Sequence, residues 1–405
     1  MGNHTDTSQP NAACAAAPLV PRINWQDPEP VRFLDKEGNW APSASAAEFA
    51  SELDGVSLVE KQQWYRDMAM TRAFDTECTN LQRQGQMALW VPSIGQEGCQ
   101  VGFAHAAAPQ DYIFPAYREH TVAYARGVDL VNIGRLFRGV TNGGWDPKDP
   151  QNGNVHPYTL VLGAQAQHAV GYALGQLLDA KLATGNTAMD AGEAGTATDS
   201  ATMVFYGDGT TSQGDANEAM IFAASYQAPV LFVVQNNKFA ISVPVERQSR
   251  TPLYRRALGF GIPAVQIDGN DPLAGFAVAK KFLNDARAGL GPRYIEALTY
   301  RIGAHTTSDD PTRYRCNEEL AEWQKSDPIA RFEAYLRNEG TGDEFFADVA
   351  ESCKKYAMDV RKRLLNMPSP HPDAMFAHAY AADHEHIARQ RQWLAHYEAS
   401  FGEEE

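Results

Sequence analysis

Two rhythms of apolar residues divide this chain into elements. The runs TMVFYGDG (202–209) and VLFVVQNN (230–237) are unbroken, β-branched and aromatic, which predicts buried parallel strands. Between them DANEAMIFAASYQAP (215–229) places Ala219, Phe222, Ala223 and Tyr226 on one helical face, opened by an Asp215–Glu218 capping pair. Strand, helix and strand with short links read as a right-handed parallel βαβ unit. AVQIDG (264–269) and RYIEALTYR (293–301) add two strands, separated by a helix near Pro272 to Ala288. The pattern predicts an α/β protein with a mostly parallel central sheet and helices on both faces. Its chemistry is expected at the carboxyl ends of the strands.

Outside that unit the pattern is more varied. Residues 1 to about 20 are small and polar and are expected to be disordered. From Pro21 to Trp40 a Pro-rich run with Trp25, Phe33 and Trp40 reads as an extended arm whose aromatics need a surface. A helical section is expected near Ala46 to Gln84. Residues 139–159 form a turn-rich loop too long to be idle in a compact domain. AQHAVGYALGQLLDAKLA (166–183) is a helix carrying Gly171 and Gly175 four residues apart, which marks either a close helix approach or tolerated glycine. Residues 376–401 read as an amphipathic helix with Phe376, Tyr380, Ile387 and Leu394 in one stripe. The expected layout is a flexible N-terminal arm over 1–45, an α/β domain over 46–370 with a surface insertion at 184–200, and a C-terminal helical tail over 371–405.

Composition narrows the choice of partners. Lys plus Arg number 35 against 50 Asp plus Glu, a net charge of −15, so no broad positive surface exists for a nucleic acid or an anionic membrane. No uninterrupted apolar stretch is long enough to span a bilayer, and no secretory signal opens the chain. Five scattered Cys without a C-x-x-C read as reduced thiols, and the expected location is cytoplasmic.

The loops after the strands carry the chemistry. Gly207-Asp208-Gly209 lacks the third glycine of a dinucleotide fingerprint, and the next strand ends in Asn236-Asn237 instead of an acid for a ribose. A carboxylate on Asp208 and a carboxamide on Asn237, with a backbone carbonyl from the loop that follows, are hard oxygen ligands suited to Mg²⁺. The helix starting near Asp215 offers free N–H groups to the same place, so the constellation fits a Mg²⁺-diphosphate.

These strings resemble a known family. GDG followed by NN looks like a thiamine-diphosphate signature. FPAYREH, LVLGAQAQHAVG, GDGTTSQGDANEA, VVQNNKFAIS and YRIGAHTTSDDPTRYR are similar to the α subunits of the decarboxylating component of 2-oxo acid dehydrogenase complexes. The likeness runs from about Met68 to Pro328 and more weakly to about Phe401.

The resemblance implies a thiamine-diphosphate-binding fold with an N-terminal arm and a C-terminal helix. By position it implies that Asp208, Asn237 and the carbonyl of Phe239 ligate Mg²⁺. Tyr117 and Arg118 would contact the diphosphate, with Gly207, Gly209 and Thr210 lining it. Leu162 would touch the aminopyrimidine, Ile241 would bend the cofactor, and His305 would be the catalytic loop histidine at the mouth of the site. Thr306 stands where animal relatives carry a phosphorylated serine. His156 and His168 are not assigned a role. The implied activity is oxidative decarboxylation of a 2-oxo acid, branched-chain such as 2-oxoisovalerate or pyruvate, with reductive acylation of lipoyl on an acyltransferase core. A β subunit in an α₂β₂ heterotetramer would supply the carboxylic acid that activates the cofactor. An acetoin dehydrogenase α subunit and a catalytically inactive binding subunit are the alternatives.

Overall fold

The computed structural model describes residues 26–140, 144–185, 195–377 and 379–401. Most of the expected disordered start, Trp25, and most of the 184–200 insertion lie outside the described residues. The described chain begins with the arm and the short 3₁₀ turns Ala44–Glu48 and Ala50–Leu53, then α1 (Leu58–Arg83) and α2 (Glu97–Ala106). Next come β1 (Tyr112–Phe114), α3 (His120–Ala125), α4 (Val131–Phe137) and α5 (Ala164–Ala183). The βαβ unit follows as β2 (Thr202–Gly207), α6 (Gly214–Tyr226) and β3 (Val230–Asn236). A small hairpin, β4 (Phe239–Ala240) and β5 (Val243–Pro244), leads into α7 (Val245–Gln248) and α8 (Tyr254–Gly259). β6 (Ala264–Asp268), α9 (Pro272–Arg287) and β7 (Arg293–Leu298) complete the sheet. Helices α10 (Asn317–Gln324), α11 (Pro328–Asn338), α12 (Asp343–Leu365) and α13 (Glu385–Ala399) close the chain.

Every neighbouring pair in the order β1-β2-β3-β7-β6 runs parallel. The alternation of side chains shows why the central strands read as continuous apolar runs. Met203, Phe205, Leu231 and Val233 join one apolar cluster, with α1, α2, α9 and α12. Val204, Tyr206, Phe232 and Val234 join the other, with α5, α6 and α8. Both faces are buried, so no polar alternation survives.

Local sequence explains the ends of the elements. Ser57 and Glu60 form a reciprocal capping box that starts α1. Asp271 caps α9 by accepting from the N–H groups of Leu273 and Ala274, and Pro272 occupies the first helical position, where its missing N–H costs nothing. The capping pair expected for α6 does not form: Gln213 is the N-cap, no side chain caps it, and Asp215 sits inside the first turn. Phe222 also leaves the buried face and stacks outward on Tyr226.

The arm lies on this chain's own sheet. Val31 bridges Ile267 of β6 in parallel, and the N–H groups of Phe33 and Leu34 donate to Asp271 Oδ2 at 2.6 and 2.8 Å. Phe33 is buried against Trp40, which stays half exposed. The tail departs from expectation. Its helix spans only Glu385–Ala399, so Phe376 and Tyr380 precede it and the expected stripe is broken. None of its residues is buried, and Trp393, Tyr397 and Phe401 form an exposed aromatic stack. Cys78, Cys99 and Cys353 are free thiols; Cys316 departs from expectation in being disulfide-bonded. Among the described residues no helix is long and apolar enough to cross a membrane.

Candidate active site

A cavity opens where β1, β2, β3 and β7 end. Its lining includes every residue proposed from the sequence: Tyr117, Arg118, Leu162, Gly207, Asp208, Gly209, Thr210, Asn237, Phe239, Ile241 and His305. They come from separate segments spread over nearly two hundred positions, and the parallel sheet brings them together because all its strands point the same way.

Asp208 starts a 3₁₀ turn (Asp208–Ser212) directly after β2. That turn, and not the start of α6, supplies the cavity wall, since no residue of α6 is among the lining. The Asp208 carboxylate is 1% exposed, and Gln248 Nε2 donates to its Oδ2 at 2.8 Å. Burial pushes its pKa up to about 6, against which the Gln248 hydrogen bond and the charge of Arg301 pull only in part. Such a buried acid is short of positive charge. Gly209 must be glycine for a plain reason: a Cβ there would lie 2.8 Å from that of Ala240. The close approach lets the turn after β2 sit against the hairpin after β3.

That hairpin presents the second half of the site. Asn237 Oδ1 accepts from the N–H of Phe239, and its Nδ2 donates to Gln96 Oε1 at 3.1 Å. Ile241 has φ 53°, in the left-handed region that a β-branched residue rarely enters, and its side chain is 54% exposed. Arg301 fixes this conformation. Its guanidinium donates to the carbonyls of Phe239 and Ile241 at 3.0 and 2.6 Å, and to the Tyr314 hydroxyl.

At the mouth, His305 Nδ1 accepts from Arg118 Nη2 at 3.2 Å, and the backbone N–H of His305 donates to Asp309 Oδ2. Burial first, then the cationic Arg118 and Arg301, push the His305 pKa down to about 3. The imidazole is neutral at ordinary pH. With Nδ1 occupied as an acceptor, its proton resides on Nε2 and is available as a hydrogen-bond donor. Arg118 also donates to the Pro92 carbonyl and to the His305 carbonyl, so much of its fork is spent on holding the mouth. Asp310, grouped with His305 in the sequence, instead caps the turn Pro311–Arg313.

The cavity adds Gln96, Ala116, Glu119, Gln235, Ala240 and Arg301. Gln235 Nε2 donates to Glu119 Oε1 at 2.6 Å and Gln100 Nε2 donates to Gln235 Oε1 at 2.8 Å, forming a buried polar floor. Of the six added residues, only Gln96 lies outside the strings that carry the family resemblance: Ala116 and Glu119 stand in FPAYREH, Gln235 and Ala240 in VVQNNKFAIS, and Arg301 in YRIGAHTTSDDPTRYR, though none was assigned a role. His156 stacks on Phe114, His168 is exposed, and neither lines the cavity.

Strand ends that surround a buried carboxylate, a carboxamide and close-packed glycine turns mark an α/β protein built to hold a phosphorylated cofactor. Residues 65–373 match the family described as dehydrogenase E1 component, and the chain belongs to that family. It is 39% identical over 372 residues to the 3-methyl-2-oxobutanoate dehydrogenase subunit alpha of Mycobacterium tuberculosis, covering 91% of this chain and 94% of that protein. It is 39% identical over 302 residues to the pyruvate dehydrogenase E1 component subunit alpha of Acholeplasma laidlawii, covering 72% and 82%. The corresponding Staphylococcus aureus subunit is 36% identical over 318 residues, covering 78% and 79%. Membership of the family implies dependence on thiamine diphosphate. The residues present fit that cofactor, because the cavity joins a carboxylate short of positive charge to buried donors on Gln96 and Arg301 that have no partner.

Proposed function

We propose that this chain is the α subunit of a 2-oxo acid dehydrogenase, decarboxylating a branched-chain 2-oxo acid and passing the acyl group to lipoyl on an acyltransferase core. The carrying observation is the convergence of the eleven sequence-proposed residues on one cavity. The branched-chain preference rests on the relative that covers 91% of this chain. When bound, thiamine diphosphate supplies a nucleophilic carbon and the electron sink for loss of CO₂. The chain's own residues do the rest. Asp208, Asn237 and the Phe239 carbonyl hold Mg²⁺, while Gly207, Gly209 and Thr210 present backbone to the diphosphate. Tyr117 and Arg118 flank that anion, Leu162 supports the ring, and Ile241 wedges it. Neutral His305 offers Nε2–H as a donor at the mouth, where a substrate oxygen gains charge.

The catalytic carboxylic acid comes from a β subunit in an α₂β₂ assembly. An apolar face supports such a partner: Val161 is 71% exposed, and Leu182 of α5 and Phe222 of α6 are exposed on neighbouring helices. A Cβ on Gly171 or Gly175 would meet no atom of the described residues within 4 Å, which leaves room for a helix of a partner. Leu162 and Ile241, which line the cavity, are exposed as well.

The test is dye reduction with 2-oxoisovalerate and with pyruvate, using the chain alone and the chain co-purified with its β partner. The pair is expected to turn over, to prefer 2-oxoisovalerate, and to lose activity on chelation of Mg²⁺. Turnover by the chain alone would overturn the shared site; a preference for pyruvate would reverse the substrate assignment.

A further inference from the structure

Gln96 sits immediately before α2, is 0% exposed and lines the cavity. The orientation of its amide follows from a short chain of hydrogen bonds. The N–H of Phe239 donates to Asn237 Oδ1, which turns Asn237 Nδ2 toward Gln96. Gln96 therefore presents Oε1 to that donor, and its own Nε2 is left with no partner. A buried donor without an acceptor is costly enough that native proteins rarely tolerate one. Other amides of the cavity floor are engaged: Gln235 is held by Glu119 and Gln100. The unmatched N–H thus stands one hydrogen bond away from Asn237, the proposed carboxamide ligand.

We propose that Gln96 binds the cofactor's diphosphate: its Oε1 locks the Asn237 amide so that Oδ1 faces the cation, and its Nε2 donates to a diphosphate oxygen. The inference rests on the thiamine-diphosphate reading of this cavity. A hydrogen bond to an anion is stronger than one to a neutral acceptor, so Gln96 discriminates in favour of the loaded state.

The experiment uses the α–β pair and isothermal titration with two probes, Mg²⁺-thiamine diphosphate and Mg²⁺-inorganic diphosphate. Gln96→Glu keeps the acceptor for Asn237 and removes the donor; Gln96→Leu removes both. Each variant is expected to bind both probes about 10- to 100-fold more weakly than the unaltered pair, Gln96→Glu also turning a like charge toward the anion. Urea midpoints of the ligand-free variants separate a lost diphosphate contact from general damage, because a loosened fold weakens both probes by one common factor and lowers the midpoint as well, whereas loss of the contact leaves the midpoint unchanged. Binding of both variants within about twofold of the unaltered pair overturns the inference while leaving the cofactor reading intact. A loss confined to thiamine diphosphate overturns the assignment to the diphosphate end. Absence of binding by the unaltered pair overturns the cofactor reading itself.

Discussion

Asp208 shows most directly how the site exchanges stability for binding. A carboxylate whose folded pKa lies near 6 holds its proton more tightly in the folded chain than in the unfolded one. Its contribution to stability is therefore full below about 3.8 and is lost as pH rises through about 6. Removing the charge should recover on the order of 3 kcal/mol at neutral pH. Asp208→Asn is expected to raise the denaturation midpoint of the cofactor-free chain at pH 7.5, with the gain fading toward pH 4.5, while abolishing stabilisation by Mg²⁺-thiamine diphosphate. Urea titrations at several pH values measure both effects; a variant less stable than the parent at pH 7.5 would contradict the account. The residues flanking Asp208 differ in how far the sequence exposed them. Asp208, Asn237 and His305 stood in compact strings whose chemistry could be read directly. Gln96 and Gln248 enter only through the folding of distant segments, and no local pattern distinguishes a buried amide on a cavity wall from one on a surface helix.

Among the elements, the glycines of α2 and α5 look alike in sequence and do opposite things. A Cβ on Gly102 would lie 2.5 Å from the Pro272 carbonyl, because α2 crosses α9 almost in contact. Gly171 of α5 faces open space. Gly102→Ala is accordingly expected to cost about 1–3 kcal/mol or more in the isolated chain. Gly171→Ala should gain about 0.5–1 kcal/mol there and yet weaken assembly with the β partner. Denaturation of the chain alone, set beside sedimentation of the pair, separates the two; assembly unchanged by Gly171→Leu would remove α5 from the interface. The strands, α9 and α5 were legible because burial imposes an unmistakable apolar rhythm. The tail was not. None of the described residues of its helix is buried, so no core enforces the stripe, and amphipathic spacing named a helix longer than the backbone makes. The capping pair of α6 failed for a different reason: the 3₁₀ turn after β2 leads into a helix that starts earlier, and Asp215 stands two places past the N-cap Gln213.

At the scale of the whole molecule, Asp271 ties the arm to α9. Its Oδ1 accepts from the start of α9, and its Oδ2 accepts from Phe33 and Leu34 of the arm. Arg331 of α11 adds to the same junction by bonding Asp268 and the carbonyls of Leu34 and Asp35. Asp271→Ala orphans several buried N–H groups at once and should cost about 3 kcal/mol or more, read as a lower urea midpoint and as easier proteolysis within residues 26–43. Protection of that segment unchanged from the parent would show that the arm is held elsewhere. The net charge of −15 had excluded polyanion partners but gave no hint that the arm would be a structural part of the sheet.

The pairing of that arm has one more effect. The N–H of Val31 donates to the Gln266 carbonyl and the N–H of Asp268 donates to the Val31 carbonyl, so the outer side of β6 is already occupied. A bare outer strand is a template on which strands of other molecules can add without limit, the usual first step toward insoluble aggregates. This stretch of chain thus serves as built-in edge protection: it fills the flank of the sheet at β6, and it does so before any partner subunit has arrived.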